Sequence, residues 1–211
     1  MKNKKLNILL FILCLLPVVV GIIMYPKLPD QVVTHFGADG QPDGWSNKFI
    51  GVILLPSALA LLGLFVPRLI RLDPKNKDIN PKLENCIAWI IPIITIMCSS
   101  VTILNALGYN TKVEIIIPCV VGIMLMIIGN YLPKAKQNYT VGVKIPWTLN
   151  DEENWDKTHR VAGFVFTIGG FLIALSSFFK IRTIVLLIVI FSMIFIPTIY
   201  SYIMYRKKQV K

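Results

Sequence analysis

Six long apolar runs govern what this chain can fold into. They fall at residues 6–24, 49–66, 86–107, 113–132, 161–179 and 183–204. Each approaches the roughly 20 residues that cross about 30 Å of hydrocarbon at about 1.5 Å per residue. No Asp, Lys, Arg or His stands in the middle of any run, and Glu114 stands only at an edge. One such run could be a buried core helix. Six could not, because 55% of the 211 residues are hydrophobic and only 16% charged, too little polar surface to cover them. Lipid offers the backbone no hydrogen-bond partners, so only helices or closed barrels span it. Barrel strands alternate with period two over about 10 residues, whereas these runs are continuous and longer. The expectation is an all-α polytopic membrane protein with six transmembrane helices.

A formal charge of +11 would suit nucleic acid if the basic residues gathered on one face of a soluble domain. Here they sort by loop. Lys2, Lys4 and Lys5 precede the first run, and Arg68, Arg71, Lys75, Lys77 and Lys82 follow the second. Lys134, Lys136, Lys144, Lys157 and Arg160 follow the fourth, and Arg206, Lys207, Lys208 and Lys211 close the chain. These 17 fall on one side; Lys27, Lys48, Lys112, Lys180 and Arg182 fall on the other. By the positive-inside rule both termini are cytoplasmic, and the alternation independently supports six spans. Counting the acidic residues too, the inner face carries +10 and the outer face +1. The basic excess therefore reads as topology and attraction to anionic headgroups, with the lipid bilayer as partner and no direct nucleic-acid role. The basic start resembles a signal peptide, but the run is long and Met24-Tyr25-Pro26-Lys27 lacks a small-residue cleavage site, so it is expected to stay as an anchor.

Cys14, Cys86, Cys98 and Cys119 sit in or at the start of runs without metal or redox spacing, and read as small buried apolar residues. Pro17, Pro56, Pro92, Pro118 and Pro197 also fall within runs, where they bend helices for packing or mark hinges.

Two polar segments remain. Between the first two runs, Gln31-Val32-Val33-Thr34-His35-Phe36 has the composition of a short β segment. Gly37-Ala38-Asp39-Gly40 and Gln41-Pro42-Asp43-Gly44 are successive turn signals. Trp45 suits a membrane interface, and Ser46 or Asn47 can cap the next helix. The segment reads as an ordered outer cap whose exposed residues recognise a ligand. His35, Asp39 and Asp43 do not match the ligand order of a calcium loop.

Between the fourth and fifth runs lies a long inner loop. Thr148 with Asp151, or Asn150 with Glu153, offers a capping-box start, so one helix is expected over 151–179, its first third outside the membrane. Gly163, Thr167, Gly170, Ala174 and Ser177 form a small-residue seam suited to close helix approach. Extended backwards, the seam reaches His159, Asp156 and Glu152, which should face the inner mouth of the bundle. The bland role for these three is pinning the helix end, with Lys144 or Arg160 as partner; His159 could also titrate near neutral pH.

The block Gly129-Asn130, Asn138, Gly142, Lys144, Pro146-Trp147-Thr148-Leu149, Trp155 and His159-Arg160 resembles the SdpI family, bacterial multi-spanning proteins named for immunity to a secreted killing peptide. Leu28-Pro29, His35-Phe36, Gly40, Pro42-Asp43, Trp45 and Lys48 resemble DUF1648, a small membrane domain often found before an SdpI region. Lys144 departs from the Arg that members often carry; it keeps the charge but loses the bidentate fork. The expected organisation is a DUF1648-like helical hairpin over 1–66, a basic inner loop and third helix over 67–112, and an SdpI-like region over 113–211.

The resemblance implies a plasma-membrane immunity protein that meets a secreted peptide toxin outside and can signal to a cytoplasmic repressor or regulator. It implies no cofactor and no enzyme activity. Candidate inner residues are Asn130, Asn138, Gly142, Lys144, Pro146, Trp147, Thr148, Trp155, Asp156, His159 and Arg160. Candidate outer residues are Pro29, His35, Phe36, Gly40, Asp43 and Trp45. The main alternative is a transporter or ion-coupled carrier, although such sites usually place ionisable groups within the membrane. An enzyme would need a nucleophile, metal signature or phosphate cradle beside His35 or His159, and the sequence supplies none.

Overall fold

A computed structural model describes residues 4–75, 80–179 and 181–210. Lys2, Lys77, Lys180 and Lys211 of the charge count lie outside the described residues. Among those described, six helices are long and apolar enough to cross a membrane, and a two-stranded sheet joins them. The order is α1 (Lys4–Met24), β1 (Gln31–Phe36), β2 (Pro42–Asn47), α2 (Leu55–Leu72), α3 (Pro81–Ala106), α4 (Val113–Tyr131), α5 (Pro146–Leu149), α6 (Glu152–Ser176) and α7 (Arg182–Gln209). The chain divides into two compact units, Met1–Pro67 with Ile87–Ile117, and Arg68–Cys86 with Pro118–Lys211.

In the first unit the expected strand at 31–36 forms, and it pairs antiparallel with a second strand that the sequence reading treated as a turn and helix cap. Val33 lies opposite Trp45, and Phe36 opposite Pro42. The turn closes with Gly37 N donating to Gln41 O at 2.8 Å, and Gly40 takes φ +83°, a conformation that suits glycine. The hairpin stands on an apolar base in which Leu28, Val32, Val52 and Ile103 are buried together. Asn47 caps the helical turn that follows, its Oδ1 accepting from Phe49 N at 2.8 Å; Ser46 does not, its hydroxyl being buried without a hydrogen-bond partner.

Pro56 cannot donate to Val52 O four residues back. The chain accommodates this with a π-helical turn over Ile50–Leu54, in which Leu55 N reaches Ile50 O. Gly21 of α1 lies directly against the Val52 carbonyl, where a side chain would collide. Gly108, at φ +86°, closes α3 in a Schellman arrangement, with Tyr109 N donating to Leu104 O at 3.0 Å.

In the second unit the small-residue seam packs as expected. Gly122 of α4 lies against Gly170 and Ala174 of α6, and Gly129 against Gly163 and Thr167. Cys119 Sγ meets Ser177 Oγ at 3.0 Å. Of the cysteines, Cys14 is buried, Cys86 and Cys119 are half-buried and Cys98 is exposed, so the expectation of burial fails at Cys98.

The start of α6 corrects the capping expectation. Asp151 itself is the N-cap and accepts from Asn154 N at 3.1 Å. Thr148 instead serves the separate turn α5, accepting from Ile145 N at 3.2 Å and donating to Val143 O at 2.7 Å. The helix ends at Ser176, three residues short of the expected end.

Candidate functional site

The long loop between α4 and α6 folds onto a buried polar and aromatic patch on the first two turns of α6. Asn154, Trp155, Thr158 and His159 are at most 1% exposed. Trp155 and His159 are one helical turn apart and stack with ring centroids 3.9 Å apart. Trp155 Nε1 donates to Ala135 O at 2.7 Å. Val143 N donates to His159 Nε2 at 3.0 Å, while His159 Nδ1 lies 2.8 Å from Trp155 O. A backbone amide can only donate, so Nε2 is the acceptor and the proton sits on Nδ1: the ring is neutral. Gly142 passes over this ring at φ +124°, leaving no room for a Cβ beside Nε2.

Asn138 shapes the loop from within. It is 3% exposed; its Nδ2 donates to Lys136 O and Val141 O, and its Oδ1 accepts from Thr140 N and Val141 N. Asp73, just past α2, clamps the same segment by accepting from Tyr139 N at 2.7 Å and from the Thr140 hydroxyl. Burial raises the Asp73 carboxyl, but donors from Thr140 and from the Lys75 and Tyr139 amides outweigh it and hold it below the usual carboxylate range. Lys75 Nζ reaches Leu149 O at 3.1 Å and Gln137 Oε1 at 3.3 Å, and lies over the Tyr139 ring. Gln137 Nε2 in turn donates to Thr148 O at 2.7 Å.

Other inner candidates are peripheral to this cluster. Trp147 packs against Tyr202 and Tyr205 of α7, with centroids 5.1 and 6.0 Å away. Lys144 is exposed and donates to Thr140 O at 3.0 Å. Pro146, Asn130 and Arg160 are exposed. The expected inward placement of Asp156 and Glu152 is wrong: both are exposed, and only His159 of that stripe is buried. Nor is the helix end pinned by Lys144 or Arg160. Lys208 holds Asp151 and Glu153 at 2.7 Å each, and this bond to Lys208 is the main reason the Asp151 carboxyl lies below its ordinary value.

The sequence reading missed Asp73, Gln137, Asn154, Thr158 and Ser201. Asn154 Nδ2 donates to Ser201 O at 3.0 Å and its Oδ1 accepts from Ser201 Oγ at 2.6 Å, tying α6 to α7. Thr158 Oγ1 donates to the same Oδ1 at 3.0 Å. The signals available were the i, i+4 spacing of Asn154 and Thr158 and the polar Ser201 within an otherwise apolar run.

The outer candidates gather on the hairpin. His35 Nδ1 lies 2.5 Å from Asp43 Oδ1 across the two strands, and both side chains are at least half exposed. Trp45, Pro29 and Asp43 are exposed, Phe36 is half-buried, and Gly40 lies against Glu114. Lys48 braces the base: its Nζ is 3.1 Å from Asp30 Oδ1 and 3.3 Å from Leu28 O, and lies over the Tyr25 ring. Among the described residues no group of three or more His, Cys, Asp or Glu could hold a metal ion.

Six candidate spans among the described residues, a paired hairpin between the first two and a long loop latched onto a helix define a multi-spanning membrane protein with ordered extramembrane segments. Residues 134–201 match the SdpI/YfhL protein family, and residues 12–60 match DUF1648, a domain of unknown function. The chain is 31% identical to the Immunity protein SdpI of Bacillus subtilis (strain 168) over 96% of its own length and 97% of that relative's. It belongs to the SdpI family. No solved structure matches it.

Proposed function

We propose that this chain is a plasma-membrane immunity protein that protects its cell from a secreted killing peptide. The carrying observation is its end-to-end likeness to a relative named as an immunity protein. In this reading both termini and the latched loop are cytoplasmic, as the distribution of Lys and Arg argues, and the hairpin faces outside. An amphipathic peptide would meet the exposed Trp45, His35 and Asp43 on a strand pair whose underside is fixed by Leu28 and Val32. Capture there keeps the peptide from inserting. Rigid presentation favours this role, because a preorganised surface loses little entropy on binding.

A second role, signalling to a cytoplasmic regulator, is favoured by the order of the loop over 135–149, which presents a fixed face rather than a floppy linker. The test of the first role is expression in a peptide-sensitive host followed by challenge with candidate killing peptides. Raised survival is expected with at least one peptide; unchanged survival with all of them sinks the reading. Signalling is checked by recovering a cytoplasmic protein with the wild-type chain and losing it when the loop is unlatched.

A further inference from the structure

The C-terminal end of α7 and the start of α6 enclose a groove that neither the family likeness nor the immunity reading uses. Tyr200, Ile203, Met204, Lys207 and Lys208 form one stripe of α7, at the helical spacings of three and four residues. Glu153 and Lys157 of α6 form the facing wall, and the groove has a volume of about 900 Å³. Ile203 and Met204 give the groove its apolar lining, and Arg206, Lys207 and Lys208 at the end of α7 its basic lining. The carboxylates are already engaged. Glu153 holds Lys157 and Lys208 at 2.7 Å each, and Asp151 holds Lys208 at 2.7 Å. Arg206 and Lys207 have no carboxylate partner among the described residues.

We propose that this groove is a binding site for an anionic phospholipid, with the phosphate between Arg206 and Lys207 and an acyl chain along Ile203 and Met204. The chemistry fits on both counts. Arg and Lys supply donors to phosphate oxygens, and basic pockets between membrane helices select anionic headgroups. The apolar run of α7 gives way to Arg206, Lys207 and Lys208 at its last turn, so the groove straddles the border where headgroup meets acyl chain.

The test uses the full chain reconstituted in vesicles of equal parts phosphatidylcholine and phosphatidylglycerol, then released and weighed by native mass spectrometry. Wild type should retain phosphatidylglycerol in preference to phosphatidylcholine. R206Q/K207Q should weaken that retention by roughly fivefold per residue removed, while K82Q/K134Q, equal in charge loss, leaves it unchanged. Circular dichroism confirms that both variants keep their helices. Three results overturn the proposal: no preference in wild type, an equal fall in both variants, which signals diffuse charge attraction, or full competition by soluble glycerol phosphate, which signals a small-anion site.

Discussion

The Val143 amide and the His159 ring are 16 residues apart in sequence and 3.0 Å apart in space. That bond lets the loop close over α6 only while Nε2 carries no proton. The other ring nitrogen is committed to Trp155 O, so the imidazole has one arrangement that satisfies both partners. Its stack on Trp155 fixes the plane in which the acceptor points.

His159→Phe keeps an aromatic ring on Trp155 but strands the Val143 amide. Leaving one buried donor unsatisfied costs about 1–3 kcal/mol. The expected outcome is a lower unfolding temperature in detergent micelles and faster protease cutting within 136–145, with the helical content of the spans retained.

Gly142→Ala attacks the same latch from the other side. A non-glycine residue held at positive φ costs about 1–3 kcal/mol, and the new Cβ meets His159 Nε2. The loop should open locally, seen as loss of hydrogen-exchange protection at Val143 and little change in α1 or the hairpin.

Asp73 makes loop closure pH-dependent. Its folded carboxyl is held below the ordinary value, so the ionised form stabilises the folded state. That contribution is complete above the unfolded value of about 3.9 and is lost as pH falls from there through the lower folded value. Protease protection of the loop should decline across that acid window. Asp73→Asn should start weaker and show a flatter profile; an unchanged slope would refute the assignment.

Helix association rests on two kinds of contact. Gly129→Val forces a branched side chain into the Gly163 and Thr167 backbone and should prevent close packing of α4 on α6. Asn154→Ala removes the bonds to Ser201 and Thr158, at about 1–3 kcal/mol for each buried partner left unpaired. Both should lower thermal stability in micelles, and the glycine variant should also reduce the yield of folded protein.

The hairpin predictions separate function from stability. The His35–Asp43 pair is exposed, and exposed pairs contribute about 0–1 kcal/mol. His35→Ala and Asp43→Ala should insert and melt almost like wild type yet reduce survival in the peptide challenge. Full survival in both variants argues that recognition lies elsewhere.

The spans and the α4–α6 seam were legible because long apolar runs and small-residue spacing are local signals. Pro42-Asp43-Gly44 hid the second strand, because the same residues are strong turn formers and only pairing with Phe36 and His35 makes them extended. Asp73 could not be matched to Thr140, 67 residues on, since nothing local to either announces the other. The error at Asp156 and Glu152 is one of partner length. Both stay within about 20° of the Gly163 direction on a 3.6-residue helix, but α4 ends at Tyr131 and leaves that face uncovered. Beyond that end the stripe meets the loop at His159 and then turns to solvent.

The latch over α6 is assembled from amides, hydroxyls, a neutral imidazole, a carboxylate whose hydrogen-bond donors are themselves uncharged, and the Lys75 ammonium, whose bonded acceptors are neutral. Mobile ions screen separated charges beyond about 8 Å at physiological ionic strength, and here there is almost no such pair to screen. The exposed bridges from Lys208 to Asp151 and Glu153 weaken as the salt around them rises. The latched segment does not share that sensitivity, so concentrated salt loosens the rim of this unit before it touches the loop.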